Sequence, residues 1–271
     1  MKYALIIFLS IIFLSIIGFA QTDTPSTGVP SSPQANPVDQ QNQNKAKVLL
    51  DQMIQALGGN AYLTIEDVSQ EGRGYSFHLG NPTSAGAIFW RFYKYPDKER
   101  IELTKQRDVV EVFNGQAGVE ITFKGTRSME TKDLEDYLRR REYALDVVLR
   151  KWLNEPGIAL FYDGPSVANQ KSAEKVTIMN TRNQAVDLYI DANTYLPLKK
   201  SFSWRDPTDK QRNIEEEVYD NYRPVGAIMS PFVVTRYFNG DMSNQRFITS
   251  TAYNKGLNDS LFSTQQGASR K

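Results

Sequence analysis

Apolar and polar residues alternate with a period of two through most of this chain, and this pattern limits the folds that it can adopt. Turn signals such as Gly80-Asn81-Pro82 and Asn114-Gly115 separate the alternating segments. Because helices do not alternate regularly with these segments, a doubly wound parallel sheet is excluded, and the short connections favour antiparallel neighbours. We predict twelve strands, near residues 65–78, 86–95, 98–104, 108–114, 117–123, 158–163, 174–180, 184–191, 195–204, 212–223, 227–238 and 244–254.

Two segments have the spacing of an amphipathic helix instead. The first covers residues 46–57 and ends at Gly58-Gly59, a pair that favours the left-handed stop of a helix. The second covers residues 131–154, and its apolar residues share one face: Leu134, Leu138, Leu145, Val148, Leu149 and Trp152. The sequence therefore predicts a mainly β protein with two helices, of the α+β class, built on one large curved sheet or partial barrel.

The distribution of apolar residues between the two faces of this sheet bears on function. Some strands alternate regularly, as where polar residues separate Val119, Ile121 and Phe123, which is typical of a sheet with one covered face. The segments 87–93 and 232–238 are bulky and apolar on both faces, so something must cover the second face. Two arrangements remain open. The sheet curls around the helices as a half-open hydrophobic container, or the helices complete a solid core.

The first twenty residues have the pattern of a secretory signal peptide. Lys2 gives a positive start, residues 5–19 are almost continuously apolar, and small residues precede a cleavage point before Gln21. As a helix this apolar run reaches only about 22 Å, less than the ~30 Å core of a bilayer, which favours cleavage over an uncleaved anchor. We therefore expect export to the periplasm as a soluble protein, or a tether near the inner membrane if the signal is retained.

The domain organisation follows from composition. Residues 21–44 consist largely of Thr, Ser, Pro, Gln and Asn and include no aromatic residue, so we expect a disordered linker after the signal peptide of residues 1–20. Residues 45–262 are predicted to form one domain. Residues 263–271 are predicted to form a flexible tail.

Composition also excludes several kinds of functional site. The chain has no cysteine and one histidine, which removes thiolate metal sites, thiol nucleophiles and multi-histidine metal sites. With 32 basic and 31 acidic residues, it lacks the basic excess of a nucleic-acid-binding protein. No catalytic or cofactor motif is present, so we expect no enzyme, no metal and no cofactor; an enzyme built on His78 is the weakest alternative. The charged runs at 139–141 and 215–217 are interpreted as solvated faces of a helix and a strand.

Several segments occur in an order that is found in a known family. They are the opening helix over 46–57, a bulky strand and basic-x-Pro turn over 89–101, a strand and turn over 108–115, the helix over 131–154, a hairpin over 188–199 and a closing segment over 250–262. In this order the segments resemble the LolA/LolB-like superfamily, the periplasmic carriers and outer-membrane receptors of bacterial lipoproteins. The resemblance covers roughly residues 45–262. It implies an unclosed, strongly curved antiparallel β-barrel of about 11–12 strands, with a helical lid and with acyl chains held in its cavity.

The resemblance implies a periplasmic carrier that binds the acyl chains of lipoproteins or other lipids in a hydrophobic cavity, for transfer toward the outer membrane. Its partners would be a membrane-protein donor and acceptor, and we expect a monomer. The helix over 131–154 is expected to act as the lid, whose apolar residues refill the cavity on release of the ligand. We assign to the cavity the residues that share one face of the bulky strand and the apolar side of a later one: Phe89, Arg91, Tyr93, Tyr95, Val119, Ile121 and Phe123.

Two departures separate the chain from the branches of this superfamily. Tyr95 stands where the carrier branch has an arginine immediately before the strand-end proline. The receptor branch is a lipoprotein, and this chain has no lipobox cysteine. The fold therefore carries over better than lipoprotein carriage does. The alternative function is an envelope stress sensor with a LolA-like barrel that contacts a membrane-protein partner.

Overall fold

The computed structural model of the protein describes residues 37–83 and 85–264. The predicted signal peptide, residues 21–36 of the predicted linker and residues 265–271 of the predicted tail lie outside the described residues.

One antiparallel sheet makes up most of the described part of the chain. Its strands are β1 (Asp67–His78), β2 (Asn81–Pro82), β3 (Ala87–Lys94), β4 (Lys98–Leu103), β5 (Val109–Asn114), β6 (Ala117–Thr122), β7 (Gly125–Ser128), β8 (Ala159–Ala168), β9 (Lys171–Met179), β10 (Ala185–Asp191), β11 (Pro197–Arg205), β12 (Arg212–Val225), β13 (Ile228–Phe238) and β14 (Asp241–Tyr253). Their order is β7-β6-β5-β4-β3-β1-β14-β13-β12-β11-β10-β9-β8, with β2 paired to β1. Since β7 and β8 lie at opposite ends of this order, the predicted α+β fold with a curved, unclosed antiparallel sheet is confirmed.

The sheet has fourteen strands where the sequence predicts twelve. The two additional strands, β2 and β7, have two and four residues, and each returns from a tight turn to pair with the strand before it. Strands this short do not show an alternation that can be recognised in a sequence.

The helices differ more from expectation. They are α1 (Pro37–Leu57), α2 (Asn60–Leu63), α3 (Thr131–Glu142) and α4 (Leu145–Arg150), with 3₁₀ turns at Trp152–Asn154 and Asp259–Phe262. Helix α1 begins nine residues before the predicted start at Ala46, so residues 37–44, assigned above to the linker, are helical. The Asn42 side chain explains this early start, because its Nδ2 donates to the Tyr162 carbonyl oxygen (2.7 Å) and its Oδ1 accepts from the Tyr162 N–H (2.8 Å).

The main core lies over strands β8 to β11. The apolar stripe of α1 is almost completely buried there, and its members are Ala46, Leu49, Leu50, Met53 and Leu57. They pack against sheet residues that are also buried, including Val176, Ile178, Leu188 and Ile190. Helix α1 therefore fills one half of the concave face as a solid core.

The segment predicted as one helix over 131–154 is divided in two, and that prediction was wrong in this respect. Tyr143 ends α3, and Ala144 has an extended backbone with a ψ of 144°. Because the first helix stops here, the Tyr143 carbonyl is free to accept a hydrogen bond from the buried Lys200 Nζ at 2.8 Å. This contact is 57 residues away in sequence, so helical spacing alone cannot reveal it.

The C-terminal segment covers the convex face of β3 to β6. Leu257, Leu261 and Phe262 pack there against buried valines of β5 and β6, and Phe262 is fully buried. The Asp67 carboxylate anchors this segment by accepting the backbone N–H groups of residues 255–257 at 2.7–3.0 Å. The segment explains why β3 is apolar on both faces, because Phe92 faces it while Phe89 faces the concave side.

A bulge at Gly72 bends β1 against β14. A Cβ at Gly72 would overlap the Phe247 carbonyl oxygen and lie 2.9 Å from the Phe89 ring, whereas the nearest atom to a Cβ at Gly74 is 3.8 Å away. We expect Gly72→Ala to lower the free energy of unfolding by about 3 kcal/mol, because the overlap forces two strands apart. The matched control, Gly74→Ala, should change it by less than about 1 kcal/mol. Urea unfolding of both variants checks this, and equal effects of the two substitutions would contradict it.

Candidate functional site

The other half of the concave face is not filled. Strands β1, β3 to β6 and β11 to β14 surround a cavity of about 790 Å³, and α3 crosses above it. A second cavity of about 190 Å³ adjoins it, between the same sheet and α4. The larger volume lies within the range of ~300–1,000 Å³ that is usual for small-molecule sites. Of the two arrangements left open by the sequence, the structure therefore has a solid core in one half and a container in the other.

The structure brings four of the predicted cavity residues to this region. Phe89, Arg91 and Tyr93 line the larger cavity, and Arg91 lines both. Tyr95 lines the smaller one, with its ring perpendicular to that of Tyr93 and 4.7 Å away. Strand parity in β3 was therefore a sufficient guide to which side chains share a face.

The other three predicted cavity residues lie elsewhere. Val119 and Ile121 pack on the convex face beneath the C-terminal segment, and Phe123, just beyond the end of β6, is 87% exposed. The residues of β6 that face the cavity are Gly118 and Glu120. The predicted alternation in β6 is present, but its apolar side lies on the convex face instead of the cavity face. The sequence does not show this, because the C-terminal segment that buries the convex face is distant in sequence.

The predicted lid residues divide into three groups. Val148, Leu149 and Trp152 are at most 1% exposed and belong to the main core, so they are not free to move as a lid. Leu145 packs between the main core and the cluster around Phe89. Leu134 and Leu138 lie on α3, a helix without a fully buried residue. Among the described residues of the predicted lid, α3 is therefore the part that does not belong to the main core.

Polar and aromatic contacts hold α3 across the mouth of the cavity. On one side the Tyr137 ring stacks on Phe113 at 3.5 Å and 10°, and its hydroxyl donates to Glu99 Oε2 at 2.8 Å. On the other side Arg139 Nε donates to Glu215 Oε1 at 3.2 Å, and its guanidinium lies 3.5 Å from the Trp204 ring. Helix α3 thus spans the opening from β4 and β5 to β11 and β12.

The lining is amphipathic, which corrects the expectation of a wholly hydrophobic cavity. One wall, on β3 to β5, is apolar and consists of Phe89, Ile101, Leu103 and Phe113, while Met129 and Phe202 add apolar surface elsewhere in the lining. Charged side chains of both signs are the largest part of the remaining lining, with carboxyls in excess. The run at 215–217, interpreted from the sequence as solvated, contributes to it, since Glu215 is buried and Glu217 lies in the cavity wall. The arginine run at 139–141 likewise faces the sheet rather than solvent, because Arg139 and Arg141 both donate to it.

Two carboxylates organise the buried charges. Glu217 accepts from Arg236 Nε (2.7 Å) and the Tyr219 hydroxyl (2.9 Å), and Lys200 Nζ lies 3.0 Å away. Burial works against ionisation of Glu217, but the charges of Lys200 and Arg236 outweigh it and hold the pKa of its carboxyl well below the usual value. Glu99 pairs with Arg91 in the same way, and its pKa is also lowered against the effect of burial.

Two other carboxyls in the cavity lack this support. Burial raises the pKa of Asp146, one of whose oxygens is buried without a hydrogen-bond partner. Burial, with the nearby charge of Glu99, also raises the pKa of Glu111. Such environments occur at functional sites, where a bound ligand completes the polar contacts.

The described residues contain no arrangement of three or more His, Asp or Glu side chains that could hold a metal ion. His78, the residue of the enzymatic alternative, is exposed at the end of β1. Among the helices of the described part, none has both the length and the apolar character to cross a bilayer.

The sequence matches no protein-family model and no curated protein. Solved structures are similar in fold. A DUF1329 family protein from Desulfovibrio piger has a TM-score of 0.57 and 10% identity, covering 80% of this chain and 97% of its own. A domain from Vibrio parahaemolyticus, described as an outer membrane lipoprotein-sorting protein, has a TM-score of 0.52 with the same identity and coverage. A LolA superfamily protein from Nitrosomonas europaea has a TM-score of 0.48 at 10% identity, over 80% of this chain and 97% of its own. The first two of these structures, both with TM-scores above 0.5, confirm the LolA-like fold predicted from the sequence.

Proposed function

We propose that this protein reversibly binds an acyl-chain lipid, or the acyl chains of a lipoprotein, in the cavity beneath α3. The observation that carries the proposal is an unfilled space of about 790 Å³, with an apolar wall on β3 to β5 and with α3 across its mouth. Each methylene moved from water to an apolar wall contributes about 0.8 kcal/mol, so a single chain can be held without covalent chemistry. The LolA-like fold supports a carrier more than it supports an enzyme.

The amphipathic lining supports a lipid with a polar group rather than a pure hydrocarbon. The apolar wall of β3 to β5 offers a surface for the chain, while the buried charges around Glu217 and Glu99 offer partners for a head group. A wholly apolar ligand would leave these charged groups without water, which is costly. The predicted signal peptide supports a periplasmic carrier that works toward the outer membrane.

Binding of a fluorescent palmitate analogue to the delipidated full-length protein tests the proposal. We expect saturable binding of one analogue per chain. The fluorescence emission of the bound analogue should be shifted, relative to that of the free analogue, in the way that an apolar environment produces. Absence of saturable binding would contradict the carrier function. Capture of one inner-membrane protein without lipid would support the stress-sensor alternative instead.

The position of α3 makes it the gate of the cavity. Tyr137→Ala removes both the stack on Phe113 and the hydrogen bond to Glu99. We expect palmitate association and dissociation to accelerate together, each by about tenfold, because a hydrogen bond to a charged group contributes about 1.5 kcal/mol. Stopped-flow fluorescence measures both rates, and amide exchange should increase only over residues 131–142.

A matched control for this gate lies on the same helix. Lys132 is exposed at its first turn, and Lys132→Ala should leave both rates unchanged. If Tyr137→Ala accelerates dissociation alone, Tyr137 is a ligand contact and the gating role is wrong, since a gate limits movement in both directions.

A further inference from the structure

The guanidinium of Arg246 occupies the junction of the two cavities. Arg246 belongs to β14, where it pairs in register with Gly74 of β1 and Val234 of β13. It lines both the larger and the smaller cavity. It therefore lies on the concave face of the sheet, opposite the C-terminal segment. This junction with the smaller cavity is the deep end of the larger cavity.

Arg246 is a half-buried cation without an ion pair among the described residues. Its Nε is buried and has no hydrogen-bond partner. The nearby carboxylates are already engaged, since Glu99 pairs with Arg91 and Glu217 pairs with Arg236 and Lys200. Burial, together with the positive charges of Arg236 and Arg91, lowers the pKa of Arg246 to about 9, so the side chain is still protonated at neutral pH.

The local balance of charge at this junction is positive. Arg91, Arg236 and Arg246 line the smaller cavity against two carboxyls, Asp146 and Glu217. The pKa of Asp146 is raised by burial, which weakens its contribution as a negative charge. The carboxyls in excess in the larger cavity include Glu120 and Glu130 near β7 and the start of α3. An anion is therefore favoured at the deep end and disfavoured at the opening.

We infer that Arg246 binds the anionic group of the ligand, a carboxylate or a phosphate, while the acyl chain lies along the apolar wall. This inference deepens the proposed function and rests on it. A guanidinium suits this role because its planar N–H donors match the oxygens of both groups. A buried N–H donor without a partner is costly, and an anionic ligand that accepts from the Arg246 Nε would remove that cost on binding. The sequence gives no signal for this residue, because it is one of 32 basic residues and its surroundings depend on neighbouring strands.

Ligands that share a chain and differ in the head group test the inference. Palmitate, hexadecyl phosphate and hexadecanol compete with the fluorescent palmitate analogue for the full-length protein. We expect the two anions to bind at least about tenfold more tightly than hexadecanol, which corresponds to a hydrogen bond to a charged group. In Arg246→Met the preference should disappear, while the affinity for hexadecanol changes less than about twofold.

The controls separate the anchor from the fold. Arg246→Met should melt at the wild-type temperature or above, since it removes a buried N–H donor that has no partner. Arg246→Lys should retain part of the preference. Arg73→Met removes an exposed arginine of β1 and should retain all of it.

Each outcome has a distinct meaning. Equal affinity of wild type for palmitate and hexadecanol would overturn the anchor and leave the proposed function standing. No binding of any of the three would overturn the proposed function itself. Displacement of palmitate by inorganic phosphate alone would support the anion site and assign it to a free anion, whereas failure of inorganic phosphate to compete would support a lipid head group.

Discussion

Gly74→Phe is expected to weaken palmitate binding by about 100-fold while the protein stays folded. Gly74 lines the larger cavity, and among the described residues outside its chain neighbours the Phe89 ring alone lies within 4 Å of the space that a Cβ would occupy. A phenylalanine there would fill the region along the apolar wall. Losing contacts with four methylenes at ~0.8 kcal/mol each costs about 3 kcal/mol, which is the expected loss of affinity.

The neighbouring position supplies the control. Arg73 is exposed. Because it immediately precedes Gly74 in β1, its side chain lies on the opposite face of the sheet. Arg73→Phe introduces the same ring and should leave palmitate binding unchanged. Titration with the fluorescent analogue compares the two variants, and thermal melting verifies that both are folded. Normal binding by a folded Gly74→Phe would show that the chain does not lie in this cavity.

Glu217→Gln is expected to lower the free energy of unfolding by about 3–5 kcal/mol. The substitution takes away the carboxylate that holds Arg236 and Lys200, and the Lys200 side chain is only 3% exposed. Lys200 would then be a buried cation without its carboxylate, and this is the main source of the loss, since the Arg236 side chain is 33% exposed and can be hydrated. Urea unfolding at pH 7 measures it.

Glu216 is the matched control for this prediction. It pairs with Lys199 at 2.8 Å, and both side chains are more than 20% exposed. Glu216→Gln should cost less than about 1 kcal/mol, as is usual for partly exposed pairs. Similar losses in the two variants would mean that the buried network contributes no more than a surface pair.

The same network sets the response of stability to acid. The pKa values of the Glu217 and Glu99 carboxyls are lower in the folded protein than their unfolded value of about 4.3. Their stabilising contribution is therefore present above about pH 4.3 and is lost as pH falls through the folded values. The free energy of unfolding should decline less steeply below this pH in Glu217→Gln than in wild type. Equal slopes would contradict the assignment.

The sheet could be predicted from the sequence because alternation and turn residues are local signals. Strand β3 shows how far these signals reach: parity placed Phe89, Arg91 and Tyr93 on one face, and the structure has them together. For β6 the same reasoning assigned Val119 and Ile121 to the cavity, although they lie on the convex face. The sequence cannot distinguish the two faces of β6. Which of them faces the cavity depends on the C-terminal segment, which covers the other face through long-range contacts.

The polar half of the site could not be predicted, for a different reason. Glu217 in the sequence belongs to a run of three glutamates, a pattern typical of a solvated strand. Its partners Lys200 and Arg236 are 17 and 19 residues away on neighbouring strands, so no local spacing joins them. The division of the helix over 131–154 has a similar origin, because the contact of Lys200 with the Tyr143 carbonyl is made only in the folded sheet.

Photo-crosslinking with a diazirine-bearing palmitate tests most directly whether the cavity holds an acyl chain. The full-length protein is irradiated with the probe, and the labelled peptides are located by mass spectrometry. We predict labels on the concave residues of β1, β3 and β4 and on α3, with loss of these labels in Gly74→Phe. Labels confined to exposed apolar residues elsewhere, such as Phe123 and Val167, or labels unchanged by Gly74→Phe, would contradict the account.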